Sequence, residues 1–408
     1  MIERDILLEL KQGLDNNKTT IVLGSPRVGK TTLLDMISGY IKNKSIGNYV
    51  YIDFKIYRND YSKFLVDLDN NTKKLKLEKS NKIYLLLDNF NLNNLENKLN
   101  FDNIFYKCII TRGLFDVENT NNIEVLKLYT LSFLEFAKYK THYQYPKMNN
   151  FFDMYPILAF DIFNEYLRFG GYPEVVLEET IEAKVKALKD IYIQSIEKSK
   201  FKNISGLVDF LTYIANKVGR NVNTGFFTIV SVFKAQDIID YSTYLQKIGI
   251  IKELSDFKNE YHPIYYFTDL GLRNYILNEN SIEKLDDDHY IFSNFVFIII
   301  LHIFSNYKEV ISIKYLRGYQ RVRSEIIVIR EDGHVIIRPT IWNRLDHIND
   351  TIVSYMSDSR FRNLFIVTIA GYDDLFYEDK KISRIPYYEL FYLNLFLNDQ
   401  NTPRQHSK

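Results

Sequence analysis

An apolar run from Thr19 to Leu23 leads straight into Gly24-Ser25-Pro26-Arg27-Val28-Gly29-Lys30-Thr31, and helical periodicity takes over from Lys30 to Lys42. The octet fits G-x-x-x-x-G-K-S/T in full. Its position after a strand pattern and before a helix pattern is where a phosphate-binding loop has to lie. The two glycines let backbone N–H groups curl around phosphate oxygens, and the N-terminus of the following helix adds its dipole. Lys30 is expected to reach the β and γ phosphates and Thr31 to ligate Mg²⁺, so Gly24 to Thr32 predict a site for ATP or a close relative.

The rest of the first third repeats the alternation of short apolar runs and longer amphipathic stretches that marks βα units on a parallel sheet. Strands are predicted at Thr19 to Leu23, Tyr49 to Asp53, Ile83 to Leu87, Cys108 to Thr111 and Glu124 to Leu128, with helical patterns at Arg4 to Leu14 and near Tyr61 to Leu75. Asp88 closes the third run, Ile83-Tyr84-Leu85-Leu86-Leu87, and supplies the second acidic group that a Mg²⁺-dependent phosphate loop needs. Asn89 follows it. A side-chain amide orients water but cannot accept its proton at neutral pH, so a base missing at this position lowers turnover by roughly 10² to 10⁴.

At 408 residues the chain is long enough for two or three cores. From Phe151 to about Asn280 helical periodicity dominates, as in Ala183 to Ile196 and Gly206 to Asn216. After His289 a buried helix is followed by extended runs at Glu309 to Tyr315, Ser324 to Arg330, His334 to Arg338 and Leu364 to Ile369. The tail from Asp399 to Lys408 reads as unstructured. The 52 Lys and Arg nearly balance 51 Asp and Glu, so no global field draws the chain to nucleic acid or an acidic membrane. One cysteine, Cys108, excludes an intramolecular disulfide and suits a reducing, cytoplasmic compartment. Ile291 to Phe304, the most apolar stretch, is broken by Ser293, Asn294 and His302 and is too short to span a bilayer, so a buried core helix is predicted.

Four motifs in order carry a resemblance: Gly24 to Thr32; Leu131-Ser132-Phe133-Leu134-Glu135-Phe136; Tyr166-Leu167-Arg168-Phe169-Gly170-Gly171-Tyr172-Pro173-Glu174; and Tyr265-Tyr266-Phe267-Thr268-Asp269-Leu270-Gly271-Leu272-Arg273. From about Arg4 to Phe396 the chain resembles the bacterial and archaeal AAA-type ATPases that join a P-loop core to a winged helix and a restriction-endonuclease-like C-terminal domain. The resemblance implies that Gly170, Gly171 and Pro173 approach the nucleotide from a lid, and that Thr111 senses the γ-phosphate. It also marks departures. ATPases of this type usually carry glutamate where Asn89 stands, and Asn121-Asn122 occupies the stretch where a Gly-Arg pair is usual. Asp116, Glu118 or Arg112 are the candidate substitutes.

Phe226 to Leu254 reads as helix, turn, helix and strand, which suits a winged helix with Asp237 to Ile248 as its second helix. That helix begins Gln236-Asp237-Ile238-Ile239-Asp240, with two acids and no arginine, so a protein contact is expected ahead of DNA. The resemblance implies a nuclease-like Mg²⁺ site near Ser324 to Thr340, but only Glu325 of its acids is present. Ile327, Arg338, Pro339 and Thr340 stand at the other positions, and Ser293-Asn294 where Glu-Asn often begins a helix.

The expected architecture is α/β and multidomain. Residues 1–150 form a P-loop AAA-type nucleotide-binding domain, 151–280 a helical lid and winged-helix region, 281–398 a degenerate nuclease-like α/β domain, and 399–408 a disordered tail. The expected function is Mg²⁺-dependent ATP and ADP binding with weak or absent hydrolysis, as a switch or scaffold. The alternative is an active ATPase acting on DNA or a protein partner.

Overall fold

The computed structural model of the chain describes residues 2–16, 18–57, 62–63, 66–67, 70–71, 83–90, 106–113, 118–120, 122–145, 147–222, 234–258, 263–280, 288–304, 310–317, 324–341, 357–377 and 380–392. Five strands, β1 (Thr19–Gly24), β2 (Asn48–Asp53), β3 (Ile83–Asp88), β4 (Tyr106–Arg112) and β5 (Ile123–Leu128), form one parallel sheet in the order β2-β3-β4-β1-β5. Every residue of β3 is buried, the continuous apolar signature of a strand covered on both faces. Because all five strands run the same way, Gly24, Asp53, Asp88 and Leu128 share one edge of the sheet, with Thr111 one residue short of the end of β4. The predicted strands thus stand, β4 lengthened by three residues and each of the others by one. The helix expected near Tyr61 to Leu75 lies largely outside the described residues.

A helical region follows, with helices at Phe133–Lys140, Met148–Met154, Pro156–Phe169, Ile181–Glu197 and Ile204–Asn216. Ile162, Phe163, Tyr166 and Phe169 recur at helical spacing and are buried, so one face of Pro156–Phe169 enters the core. Helix Ala235–Lys247 leads into a two-stranded antiparallel sheet, β6 (Ile251–Leu254) and β7 (Ile264–Phe267). The first helix expected from Phe226 falls outside the described residues.

The apolar stretch predicted as a core helix is one, Asp288–Phe304, with Phe295 to Ile300 at most 1% exposed. Its polar interruptions have a definite use. Asn294 Nδ2 donates to Phe267 O and Asn294 Oδ1 accepts from Phe267 N, both at 2.8 Å, so a side-chain amide pairs with a strand as another strand would. Ser293 Oγ lies 2.8 Å from Tyr266 OH. The helix is therefore docked on β7 by polar groups that satisfy buried backbone, within an apolar surround.

The C-terminal sheet has six strands: β8 (Val310–Arg317), β9 (Ser324–Arg330), β10 (His334–Pro339), β11 (Phe361–Thr368), β12 (Asp373–Tyr377) and β13 (Lys380–Pro386), in the order β12-β13-β11-β10-β9-β8. β10, β11 and β13 are parallel, and the other pairings are antiparallel. β11 begins three residues before the predicted Leu364, because pairing with β10 recruits Phe361 opposite His334. β12, with Asp373 and Asp374, lacks an apolar alternation and was not legible as a strand; it forms by antiparallel pairing with β13. One apolar core runs from Ile2 to Leu390. In it Phe133 packs against Phe152, Phe163, Tyr166, Phe295 and Tyr387 with ring centroids 5.4 to 6.1 Å apart, which ties the helical region to the C-terminal segment.

Candidate functional site

The loop from Gly24 to Gly29 is shaped by close approach and by left-handed backbone. A Cβ on Gly24 would stand 2.6 Å from Leu128 O, and Gly29 has φ 94° as it opens the helix Lys30–Lys44. Arg27 also takes positive φ, at 64°. Successive residues of this kind turn backbone N–H groups inward to make an anion-binding concavity at a helix N-terminus. Lys30 is buried at the mouth, its Nζ donating to Gly24 O at 2.8 Å and Ser25 O at 2.7 Å. Burial lowers its ammonium to about 8, helped by Lys198 and Lys55 and opposed by Asp88. A cation held under that strain, near other cations, fits an incoming polyphosphate.

At the acidic end Thr31 Oγ1 donates to Asp88 Oδ2 at 2.6 Å, and Tyr51 OH reaches the same oxygen at 3.3 Å. Thr111 Oγ1 donates to Asp88 Oδ1, which also accepts from Asn89 N at 3.0 Å. Burial, then the Asp88 charge, holds the Tyr51 phenol well above its ordinary range. β4 lies between β1 and β3, so Thr111 is brought onto Asp88 by strand order alone. The hydroxyl of Thr31 beside the carboxylate of Asp88 is an all-oxygen pair of the kind that could hold Mg²⁺. Asn89 has φ 56° and its amide donates to Asp53 Oδ1 at 3.0 Å, turned to the neighbouring strand.

The loop is also built into the rest of the molecule. Arg4 is buried: its Nε donates to Glu135 Oε1 at 3.1 Å, one terminal nitrogen donates to Val28 O at 2.9 Å, and the other donates to Tyr129 O and Thr130 O. Ser25 Oγ donates to Gly249 O at 3.0 Å, ahead of β6. Arg27 pairs with Glu174 at 2.9 Å and donates to Gln194 Oε1. Pro26 and Val28 complete the loop, and Thr32 follows Thr31 in the first helical turn.

The Gly-Gly turn has a packing reason. A Cβ on Gly170 would lie 2.1 Å from Asp269 Oδ1, and one on Gly171 would lie 2.3 Å from Leu131 O. Gly171 N donates to Asp269 Oδ2 at 2.8 Å and Gly171 O accepts from Leu131 N at 2.7 Å. Both backbone groups of Gly171 are thus engaged within the protein. Pro173 does border the loop, its Cγ 3.8 Å from where a Gly29 Cβ would stand. Asp269 is fully buried and caps the helix Leu270–Ile276 through Leu272 N; burial raises its carboxyl to about 6 against these hydrogen bonds.

Of the suggested substitutes for the base and the arginine, Arg112 ends β4, Asp116 lies outside the described residues, and the charge of Glu118 acts on Lys127 of β5. Asn122 O accepts from Thr19 N, a plain strand-start contact. Glu325 is buried on β9, with Ile327 facing Ile336 on β10, Arg338 and Pro339 ending β10 and Thr340 just after it. Arg4, Asp53, Tyr51, Glu174 and Asp269 were not predicted. Asp53 had a local signal, as a carboxylate closing an apolar run just as Asp88 does, and Glu174 and Asp269 lie within the quoted motifs.

Residues 160–283 match a family model described as a domain of unknown function (DUF8612). An uncharacterized protein of Haemophilus influenzae is 25% identical over 243 residues, 55% of this chain, and an uncharacterized protein of Methanocaldococcus jannaschii is 25% identical over 279 residues, 64% of this chain. Both alignments span 58% of the relative's own length. A signal transduction ATPase with numerous domains and a tetratricopeptide repeat sensor, from Pyrococcus horikoshii, overlaps 74% of this chain and 46% of its own at 13% identity and a TM-score of 0.27. An overlap that loose adds nothing to what the sheet order and loop geometry define, a P-loop core on a five-stranded parallel sheet.

Proposed function

We propose that the protein binds Mg-ATP at Gly24 to Thr32 and uses it to hold the P-loop core against the helical region, as a nucleotide-stabilised switch with slow hydrolysis. The observation that carries this is the buried Lys30 ammonium, held by loop carbonyls beside the Thr31–Asp88 pair. Lys30 and the loop N–H groups would take the phosphates, and Thr31 and Asp88 would hold Mg²⁺, whose charge neutralises developing negative charge on the phosphates. Arg27, through Glu174 and Gln194, transmits loop occupancy to the helix Ile181–Glu197. The slow step follows from the amide at Asn89, which takes the place of a base worth roughly 10² to 10⁴ in rate.

In this reading residues 1–150 are the nucleotide-binding domain, 151–280 the lid and winged helix, and 281–398 a nuclease-like scaffold without nuclease chemistry, in a reducing compartment. The winged helix meets a protein: helix Ala235–Lys247 carries Asp237 on its own first turn, bonded to Lys234 N at 3.0 Å, and presents Ile239 at 57% exposure. Among the described residues no helix is long and apolar enough to cross a membrane. ATP affinity and phosphate release measured on the same purified protein test the proposal. Micromolar binding with turnover far below about 1 s⁻¹ supports it, whereas absence of a Mg-ATP-dependent melting shift refutes it.

A further inference from the structure

We infer that Asp53 is the carboxylate that activates the attacking water in the residual hydrolysis, with Asn89 as its positioning residue. The inference rests on the reading of the loop as an ATP site. Parallel pairing makes Asp53 and Asp88 register partners at the ends of adjacent strands, on the edge where the phosphate loop opens. Asp88 is committed: both of its oxygens accept hydrogen bonds, from Thr111, Asn89 N, Thr31 and Tyr51. Asp53 is half-buried and held on one side only. Its Oδ1 accepts from Asn89 Nδ2 and from Lys55 N, both at 3.0 Å, while its Oδ2 accepts no hydrogen bond among the described residues.

That asymmetry is what a positioned base requires, one oxygen fixing the carboxylate and the other open to water. The left-handed backbone of Asn89 turns its amide onto Asp53, and a glutamate in the same place would set two carboxylates against each other. Asn89 therefore orients the base from β3 while β2 supplies it. In the step, the water oxygen bonds to the γ-phosphorus as its proton passes to Asp53 Oδ2. The bond from that phosphorus to the bridging oxygen breaks, the electron pair leaving with ADP. Inorganic phosphate departs, and Asp53 returns its proton to solvent.

The bland alternative is that Asp53 only caps the turn Phe54–Tyr57 through Lys55 N, a bond that asparagine keeps. Asp53→Asn separates the two roles. In the full chain, three readouts are taken: the melting shift with Mg-ATP, phosphate release, and the extra melting shift with Mg-ADP plus aluminium fluoride over Mg-ADP alone. Asp53→Asn is expected to keep the Mg-ATP shift, to lower phosphate release by about tenfold to a hundredfold or more, and to lose the extra shift. Asn89→Ala, which leaves Asp53 in place but held by Lys55 N alone, should lose part of both and serves where Asp53→Asn does not fold. Phosphate release at the wild-type rate in Asp53→Asn, or a wild type that binds Mg-ATP and releases none, overturns the inference while leaving the binding site standing. A wild type with no Mg-ATP shift instead removes the site itself.

Discussion

Replacing Lys30 by methionine should separate the cost of burying the Lys30 ammonium from the loop's affinity for nucleotide. The folded-state ammonium titrates at about 8 against 10.5 for the ordinary group, so keeping it charged in the folded protein costs about 3 kcal/mol at about 1.4 kcal/mol per unit. Methionine removes that cost and retains the buried stem. It also leaves Gly24 O and Ser25 O without their donor, a loss of about 1 kcal/mol each. The nucleotide-free variant is therefore expected to be more stable than wild type by about 1 kcal/mol, where an average substitution destabilises by about as much. Its Mg-ATP-dependent shift, about 2.7 kcal/mol at a hundredfold excess over the dissociation constant, should vanish. The pH dependence has a definite sign. Between pH 8 and 10.5 the unfolded wild-type chain holds more protons at this lysine than the folded one, so Lys30 makes stability rise with pH across that window, and Lys30→Met should remove the rise. Melting temperatures of both proteins, with and without Mg-ATP, from pH 7 to 10, test each part. A nucleotide-free variant less stable than wild type by 2 kcal/mol or more, or one that keeps the ATP shift, refutes the assignment of a strained phosphate-binding lysine.

Two further outcomes follow from geometry. Gly171→Ala and Gly271→Ala place a Cβ 2.3 Å from Leu131 O and 2.0 Å from Phe169 O, backbone atoms that cannot retreat, so each should lose several kcal/mol or soluble expression. Gly39→Ala, inside a helix with nothing within 4 Å, should gain about 0.5–1 kcal/mol, and melting curves that fail to separate the three would discredit the packing account. Arg4→Met breaks a buried ion pair and the anchor of Val28 O, with an expected loss of about 3–5 kcal/mol together with weaker Mg-ATP binding. A double-mutant cycle with Glu135→Gln that gives no coupling would show the pair to be incidental.

What the residues determine by themselves is whatever depends on neighbours in the chain. The loop from Gly24 to Thr32 is legible from its own glycines and the strand and helix beside it, and Asp88 from the apolar run before it. The helix Asp288–Phe304 announces itself by length and apolarity. Tertiary structure decides what depends on partners far away in sequence. Arg4 meets Glu135 across 131 positions, and no local pattern marks a cation that will be buried at the far side of the core. Asp53 becomes a candidate base only because parallel register sets it beside Asp88 and because a left-handed Asn89 turns toward it. Gly170 and Gly171 carry the same letters whether they cradle phosphate or admit Asp269 and Leu131, and only the close approach of those groups shows the second role. Strand order is the deepest of these effects: placing β4 between β1 and β3 brings Thr111 to Asp88. Periodicity encodes which face of each strand is apolar, whereas the order in which strands pair is settled by packing the helices and loops that connect them.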